Sequence, residues 1–440
     1  MSVHEFPKTF KWGSATSAHQ VEGNNHNDWT EWEKSEERVK GLRFKGLNPA
    51  GFISGRACDS YNRYEEDFDI AKNLNQNIHR FSIEWSRIEP KEGEFNEKEL
   101  EHYKRLIRAL RDRGIEPMVT LWHFTNPIWF AEKGGWLNRK APEYFTRYAK
   151  YVVDNFKEDV GLWITFNEAF TVYAGFTKLN AIWPSRGRGI WNFFKMRRNI
   201  VKAHILAYRE IKKIYSVLPR PQVPPMSHNP ILQRASASQN GATLCNAEAS
   251  HNVAVGITEN NVYVPDTKNF WMTLARRTYR RFRNFYFFNN NTSYYDFIGL
   301  NYYHISRKPS FREKYELVSK QEFMKEMNWE IYPEGIYHVL KDLSKFKKPI
   351  YITENGIADG SDRLRERFIK EHLRWIWQAI QDGADVRGYL YWSLLDNFEW
   401  ALGFAPRFGL VDVDYATLER KIRPSAYEYA KICITNQLKI

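Results

Sequence analysis

The chain has 440 residues, of which 43% are hydrophobic and 16% aromatic, and its formal net charge is +13. This composition excludes an intrinsically disordered chain, and the length is ample for a large buried core. No run approaches the roughly 20 apolar residues that span a bilayer, so we expect no membrane span. Three scattered cysteines (Cys58, Cys245 and Cys433) predict neither a disulfide framework nor a zinc site, and a reducing cytoplasm is the expected compartment.

Eight short apolar runs alternate along the chain with longer segments of helical pattern. In chain order we predict strands at Phe10–Ala15, Asn77–Ile83, Glu116–Leu121, Leu162–Phe166, Val253–Thr258, Asp296–Leu300, Pro349–Thr353 and Gly388–Ser393. The runs are nearly all apolar rather than alternating, which is typical of parallel strands covered on both faces. Helical spacing of apolar residues predicts helices at Glu97–Arg113, Trp191–Tyr215 and Arg363–Gln381. This order predicts an α/β fold, a single-domain (β/α)8 TIM barrel over residues 1–440.

One segment, residues 218–252, does not fit the alternation. It begins with a proline-rich stretch, continues with small polar residues and has little periodicity. We interpret it as an irregular insertion between the fourth helix and the fifth strand. An unusual functional loop is the alternative.

Two glutamates follow apolar strands that lie opposite each other in such a barrel. Glu168 follows the fourth strand and Glu354 the seventh. Because reactive groups of these barrels lie at the carboxyl ends of the strands, the two carboxyls can converge on the axis. A pair of converging carboxylates is the minimum that glycoside hydrolysis requires. The alternative is two structural salt bridges, but the neighbouring Asn167 and Asn355 favour catalysis.

Three motifs carry a resemblance to a known family: Thr-Phe-Asn-Glu at 165–168, Ile-Thr-Glu-Asn-Gly at 352–356, and Ser-Leu-Leu-Asp-Asn-Phe-Glu-Trp at 393–400. With them, almost the whole chain resembles glycoside hydrolase family 1, the β-glucosidase and β-galactosidase family. The resemblance implies a retaining β-glycosidase whose partner is a small β-glycoside or oligosaccharide, with a terminal β-D-glucoside as the leading substrate. Galactosides, fucosides and mannosides stay open, and so does a non-catalytic carbohydrate-binding barrel. No cofactor and no metal are expected.

Carried over by position, Glu354 resembles the family's nucleophile and Glu168 its acid/base. Glu354 would form a covalent glycosyl-enzyme, while Glu168 would protonate the leaving oxygen and then deprotonate the incoming water. Arg80 and Tyr303 resemble the residues that hold the nucleophile, and Asn167 the one that binds the sugar 2-hydroxyl. We expect the charge of Glu354 to keep Glu168 protonated for the first step.

The rest of the sugar pocket is also implied by the resemblance. Its substrate-binding residues would be Gln20, His123, Asn167, Trp392, Glu399 and Trp400. An aromatic floor with amide and carboxylate walls suits a sugar, which has apolar C–H faces and a rim of hydroxyls. A carboxylate at Glu399 facing the 6-position would repel a phosphate there, which disfavours 6-phospho-glycosides.

The sequence also departs from the family pattern. Ala169 stands where the family usually has Pro, and His19 where Tyr is common. The stretch from about 253 to 300 looks short for the family, so the preference for the leaving group is the least secure inference. We expect Trp122 and Trp129 to pack or to contact the leaving group rather than the sugar ring.

The segment Leu274–Phe288 is rich in both arginine and aromatic residues. One interpretation is a surface for nucleic acid or an anionic membrane. The other is the helix after the fifth strand, with apolar residues inward and arginines outward. We favour the second, because every barrel helix needs such a face, and expect no nucleic-acid partner. The sequence does not predict the oligomeric state.

Overall fold

The computed structural model describes residues 2–180, 183–184, 187–217, 253–289, 291–306 and 329–440. Eight parallel strands form a closed barrel in chain order, each paired with the next and the eighth with the first. The strands are β1 (Lys11–Ala15), β2 (Ile78–Ser82), β3 (Glu116–Thr120), β4 (Leu162–Asn167), β5 (Ala254–Asn260), β6 (Phe297–Asn301), β7 (Ile350–Asn355) and β8 (Val386–Trp392).

The predicted α/β barrel is confirmed, and each predicted strand overlaps an observed one. That residues 1–440 form a single domain stays a prediction. The predicted insertion at 218–252 lies outside the described residues.

The barrel strands are covered on both faces, which explains their continuous apolar runs. Strands β2 and β4 are buried along their whole length. One apolar cluster, separate from the main core, draws its members from five strands and fills the lower interior. It consists of Ile78, Met118, Leu162, Ile164, Phe297 and Leu390. Because apolar side chains occupy this end, the polar pocket lies at the carboxyl ends of the strands, which we call the mouth.

The three predicted helices occur as Glu97–Asp112, Ile190–Ser216 and Arg365–Gln381. The other α-helices are Ala18–Val21, Asp28–Lys34, Glu36–Phe44, Ser60–Asn73, Trp85–Ile88, Ile128–Glu132, Ala141–Phe156, Phe270–Arg283, Glu334–Ser344 and Pro424–Thr435. Short 3-10 turns occupy Pro49–Phe52, Gly135–Leu137, Thr292–Tyr294 and Trp400–Leu402, and π-helical turns occupy Ala169–Tyr173 and Gly175–Asn180. None of the helices in these described ranges is long and apolar enough to cross a membrane.

Two small antiparallel pairs complete the described secondary structure. Val3–Glu5 pairs with Gln437–Lys439, which joins the two ends of the chain, and Val411–Val413 pairs with Arg420–Ile422. The second pair follows β8 and packs beside the mouth, where Leu395 bridges to Val411.

The strand pairing is irregular close to the mouth. The register shifts between Ile164 and Asn167 in β4, between Leu300 and Asn301 in β6, and before Asn355 in β7. Such irregularities re-aim the side chains that follow them and are common beside active sites. The ends of these strands are therefore the places where side chains turn into the pocket.

The basic aromatic segment differs from its prediction. Its helix, which we call the arginine helix, is Phe270–Arg283 and ends before Phe288. The prediction of apolar residues inward and arginines outward is right for the buried Tyr279 and the exposed Arg277 and Arg281, but wrong for Leu274 and Arg283. Leu274 is 48% exposed, whereas Arg283 is only 5% exposed.

Candidate active site

Glu354, near the end of β7, is held by donors on both carboxyl oxygens. Arg80 Nη1 donates to Oε1 at 2.5 Å, and the Tyr303 hydroxyl donates to Oε2 at 2.7 Å. Arg80 is fully buried in β2, and Glu354 is buried as well. A buried guanidinium in contact with the carboxylate compensates its charge, so the structure brings these three predicted residues together as a charge-paired unit.

A glycine follows this unit because β7 and β8 approach closely there. A Cβ atom at Gly356 would lie 1.8 Å from the Trp392 carbonyl oxygen. Any other residue would push β7 away from β8, and with it the Glu354 carboxyl from the mouth. The close packing of β7 against β8 therefore requires the glycine of the motif at 352–356.

Glu168 directly follows β4 in a backbone conformation that is uncommon for a residue with a Cβ. Its φ is +46°, and its N–H donates to the Thr258 carbonyl at 2.7 Å, which fixes the turn. The Asn301 amide donates to Oε1 at 2.7 Å. Burial, and secondly the charge of Glu354, raise the pKa of Glu168 well above its usual value. The predicted effect of Glu354 is present, but burial is the larger cause.

Asn167 connects the two carboxyls through hydrogen bonds. Its Oδ1 accepts from Arg80 Nη2 at 2.6 Å and from Asn301 Nδ2 at 3.2 Å. The Asn301 Oδ1 in turn accepts from the Thr353 hydroxyl at 2.8 Å, which fixes the orientation of the amide. The sequence analysis missed Asn301. It ends an apolar strand in the same way as Glu168 and Glu354 do, and that pattern could have identified it.

His123 is placed to bind a sugar hydroxyl. Its Nε2 lies 3.1 Å from Asn167 Nδ2, which can only donate, so Nε2 accepts and Nδ1 carries the proton. Burial, followed by the charge of Arg80, lowers the pKa of His123 well below its usual value, so the ring is neutral. Among the described residues Nδ1 has no hydrogen-bond partner. It is therefore a buried donor at the wall of the pocket.

Gln20 and Glu399 form the opposite polar wall. Gln20 Nε2 donates to the Phe398 carbonyl at 2.8 Å and lies 3.3 Å from Glu399 Oε2. Burial, and then the charge of Glu354, raise the pKa of Glu399 to about 8. At neutral pH this carboxyl therefore carries less than a full negative charge. The predicted repulsion of a 6-phosphate is correspondingly weaker than a full charge would give.

Aromatic rings enclose the polar groups. Trp392 and Trp400 both line the pocket, and their rings lie nearly parallel to that of His123, with centroids 6.1 and 5.9 Å from it. The sequence analysis missed further lining residues, which are Phe124, Val172, Trp183, Asn260, His304, Trp329 and Phe408. Most lie in loops, where no strand-end pattern marks them.

Trp122 and Trp129 pack outside the pocket. Trp122 is buried and donates to Asn126 Oδ1 at 3.0 Å, and Trp129 donates to the Glu89 carbonyl at 2.9 Å. Of the two expected alternatives for these residues, the structure favours packing.

His19, the departure from the usual Tyr, lies behind the pocket wall. Its ring stacks on Trp400 with centroids 5.3 Å apart, and its Nε2 lies 3.0 Å from Glu33 Oε1. His19 thus supports Trp400 and removes no reacting group.

Besides Glu399, the pocket therefore contains the charge-paired carboxylate of Glu354 and the carboxyl of Glu168, whose pKa is raised chiefly by burial. Glu354 and Glu168 come from strands on opposite sides of the barrel, and both line the same cavity. A carboxylate paired with a cation and a carboxyl with a raised pKa can serve as nucleophile and acid in glycoside cleavage.

Comparison with known proteins agrees with this chemistry. Residues 2–438 match the family model described as glycosyl hydrolase family 1. Beta-glucosidase A of Thermotoga maritima is 34% identical, with 100% of both chains covered, and a 6-phospho-beta-galactosidase of Staphylococcus haemolyticus is 31% identical, covering 99% of this chain and 100% of the relative. The solved structure of a beta-glycosidase from Pyrococcus horikoshii matches with a TM-score of 0.81 at 35% identity, covering 100% of this chain and 97% of that one. The chain therefore belongs to glycosyl hydrolase family 1 and is a retaining β-glycoside hydrolase.

Proposed function

We propose that this enzyme hydrolyses terminal non-reducing β-D-glucosides, with Glu354 as the nucleophile and Glu168 as the acid/base. The observation that carries the proposal is the difference between the two carboxyl environments. Arg80 and Tyr303 donate to both oxygens of Glu354, whereas burial raises the pKa of Glu168.

In the first step Glu354 attacks the anomeric carbon, and the bond to the leaving oxygen breaks as Glu168 transfers its proton to that oxygen. The product is a covalent glycosyl-enzyme ester. The ester carries no charge, so the contribution of Glu354 to the raised pKa of Glu168 disappears and that pKa falls. Glu168 then removes a proton from water, which attacks the anomeric carbon and restores Glu354, with net retention of configuration.

Binding of the glycone is assigned to the groups around the two carboxyls. Asn167 contacts the 2-hydroxyl, and His123 Nδ1 and the Gln20–Glu399 wall contact the other hydroxyls. Trp392 lies under the ring, and its apolar face matches the C–H face of the sugar. Such contacts fix the anomeric carbon between the two carboxyls.

Glucosides are favoured over 6-phospho-glycosides by the composition of the pocket. None of the described residues that line it is Lys or Arg, the side chains that a phosphate requires. The name of the T. maritima relative supports a glucoside as well. Galactosides, fucosides and mannosides differ from glucosides in hydroxyl orientation or number, and they are the substrates to compare.

The test is a panel of aryl β-glycosides with the wild type, Glu354→Ala and the matched control Glu366→Ala, an exposed acid on the helix Arg365–Gln381. We expect the highest kcat/KM on the glucoside, an unchanged rate in the control and no turnover by Glu354→Ala. Equal rates for Glu354→Ala and wild type would refute the catalytic assignment and favour a non-catalytic barrel.

Azide separates the roles of the two carboxyls. In Glu168→Ala, azide attacks the glycosyl-enzyme, so two inversions give the β-glycosyl azide from an activated aryl glucoside. In Glu354→Ala, azide replaces the nucleophile, so one inversion gives the α-glycosyl azide. If Glu168→Ala gave the α-glycosyl azide and Glu354→Ala the β-glycosyl azide, the roles of the two glutamates would have to be exchanged.

We also propose that the enzyme resides in the cytoplasm. The low cysteine count supports a reducing cytoplasm, and Cys58 and Cys433 are both buried free thiols. Cell fractionation would test it: the enzyme should appear in the cytoplasmic fraction, and its recovery outside the cell would contradict the proposal.

A further inference from the structure

The positive charge of the chain is concentrated in two segments. Between Glu168 and Glu210 there are eight Lys and Arg residues and no Asp or Glu. Between Asp266 and Asp296 there are six Lys and Arg residues and again no Asp or Glu. Together these exceed the net charge of +13, so the remainder of the chain is close to neutral.

The two segments pack together in the fold. The Arg197 guanidinium lies 3.5 Å from the centroid of the Tyr286 ring and 4.4 Å from that of Phe282. The rings of Phe194 and Phe282 also contact each other, with centroids 6.0 Å apart. The arginine helix and the start of the helix Ile190–Ser216 therefore form one surface, which we call the basic aromatic surface.

This surface exposes large apolar side chains beside its charges. Phe270 is 70% exposed, Trp271 73% and Met272 52%, and on the neighbouring helix Trp191 is 84% exposed. One face of the arginine helix carries residues at spacings of four, three and four, which are Phe270, Leu274, Arg277 and Arg281. The opposite face carries the buried Tyr279 and Arg283. The outward face is thus apolar in its first half and carries two arginines in its second, of which Arg277 also pairs with Asp266 at 3.0 Å.

The basic aromatic surface is attached to the rim of the mouth. Arg283 Nη1 donates to the Asn260 carbonyl at 3.2 Å, and Asn284 Nδ2 donates to the Val262 carbonyl at 2.8 Å. Asn260 ends β5 and lines the catalytic pocket. The carboxyl end of the arginine helix is therefore fixed at the mouth, and its apolar end extends away from that anchor by about 20 Å at 1.5 Å per residue.

We propose that the basic aromatic surface binds the anionic surface of a lipid bilayer, as a peripheral contact that goes beyond the glycosidase activity. Exposed Phe, Trp, Met and Leu side chains enter the boundary between headgroups and acyl chains, while arginines reach the phosphates and keep their charge in the polar layer. A nucleic acid would use the arginines but would gain little from Phe270 and Leu274, which share the outward face with them. The mixture of apolar and basic groups on one face thus favours a bilayer.

The test is co-sedimentation of the full chain with vesicles of phosphatidylcholine alone and of equal parts phosphatidylcholine and phosphatidylglycerol. We expect binding to the anionic vesicles that is at least about tenfold tighter than to the neutral ones and that weakens at high salt. The double variants Phe270→Ser/Trp271→Ser and Arg277→Glu/Arg281→Glu should each lose about tenfold or more in affinity.

Matched control variants test whether binding depends on the basic aromatic surface and not on exposed apolar or charged residues elsewhere. Phe44→Ser removes a side chain that is 94% exposed on the separate helix Glu36–Phe44 and should bind as wild type. Arg367→Glu/Arg374→Glu reverses two exposed charges on the helix Arg365–Gln381 and should lose far less affinity than the Arg277/Arg281 variant. All variants should keep the wild-type rate on a soluble aryl glucoside, which shows that they are folded.

Three results would overturn the proposal. The first is no sedimentation of wild type with anionic vesicles at low salt. The second is binding that is insensitive to the Phe270/Trp271 change and is matched by an RNA of equal charge, which would identify a nucleic-acid surface. The third is a dimer that the Phe270/Trp271 variant abolishes, without any vesicle binding, which would identify a second copy of the chain as the occupant.

Discussion

The two sides of the catalytic pocket compensate a buried carboxyl in opposite ways. On the β7 side Glu354 receives a guanidinium and a phenol hydroxyl, so its negative charge has direct partners. On the β4 side the partners of Glu168 are neutral amides, and burial raises its pKa. One barrel mouth can therefore hold a nucleophile and an acid of the same residue type, because the neighbouring strands supply different partners.

The largest effect is expected where the charge partner of Glu354 is removed. Arg80→Met leaves a buried carboxylate without its cation and also removes the donor to Asn167. Breaking a buried pair costs about 3–5 kcal/mol, so we expect kcat/KM on an aryl glucoside to fall by about a thousandfold. Arg80→Lys keeps the positive charge but cannot contact both Glu354 and Asn167. Its kcat/KM should therefore lie between those of wild type and Arg80→Met. A loss below tenfold in Arg80→Met would show that the β7 side does not depend on charge pairing.

A smaller effect is expected on the β4 side, where the partner is neutral. Asn301→Ala removes the donors to both Glu168 and Asn167, and a hydrogen bond between neutral groups contributes about 0.5–1.5 kcal/mol, so the loss of two should lower kcat/KM about 10- to 100-fold. The loss should be larger for glycosides with poor leaving groups, which need the acid most. Equal losses for good and poor leaving groups would show that Asn301 does not act through the acid Glu168.

The second donor to Glu354 can be removed without changing the shape of the site. Tyr303→Phe deletes one hydrogen bond of about 1–2 kcal/mol, and we expect kcat to fall roughly tenfold while the melting temperature changes little. The matched control is Tyr302→Phe, whose hydroxyl donates to the Tyr332 carbonyl away from the pocket. The control should keep kcat. Equal kcat losses in the two variants would mean that the hydroxyl of Tyr303 has no particular role.

The smallest expected effect is a shift in the titration of Glu168. Its raised pKa predicts that kcat/KM falls on the alkaline side, as Glu168 loses its proton, at a pH above the range of an exposed glutamate. In Glu354→Gln one cause of the shift is gone, so the pKa of Glu168 should decrease. It should stay above the usual value because burial is the larger cause.

Carboxyl ¹³C NMR of wild type and Glu354→Gln measures this shift, with Glu168→Gln used to identify the signal. A pKa of Glu168 at its usual value in Glu354→Gln would make the charge of Glu354, and not burial, the dominant cause.

The fold and the two central glutamates could be predicted because their signals are local. Continuous apolar runs mark strands that are covered on both faces, and Glu168 and Glu354 follow two of them directly. The helix Glu97–Asp112 likewise carries its own boundaries, because Asn96 accepts from the N–H groups of the first turn and Gly114 follows its end. The three family motifs added the roles of the residues around them.

Other features could not be predicted because they depend on contacts between distant parts of the chain. Arg80 and Glu354 are 274 positions apart and meet only because the barrel closes. The linking role of Asn301 depends on which neighbours its amide reaches. Burial as the main cause of the raised pKa of Glu168 depends on every element that covers the mouth.

The barrel, the order of its strands and the two carboxyls follow from local sequence features, since hydrophobic pattern and strand-end chemistry are written in consecutive residues. The partner that each carboxyl receives and the side chains that stay at the surface depend on how distant elements pack together. The arginine helix is the plainest case, because its apolar residues look suited to a core and yet Phe270 and Trp271 are exposed. Periodicity gives the faces of a helix, but the packing of the neighbouring elements decides which face is covered.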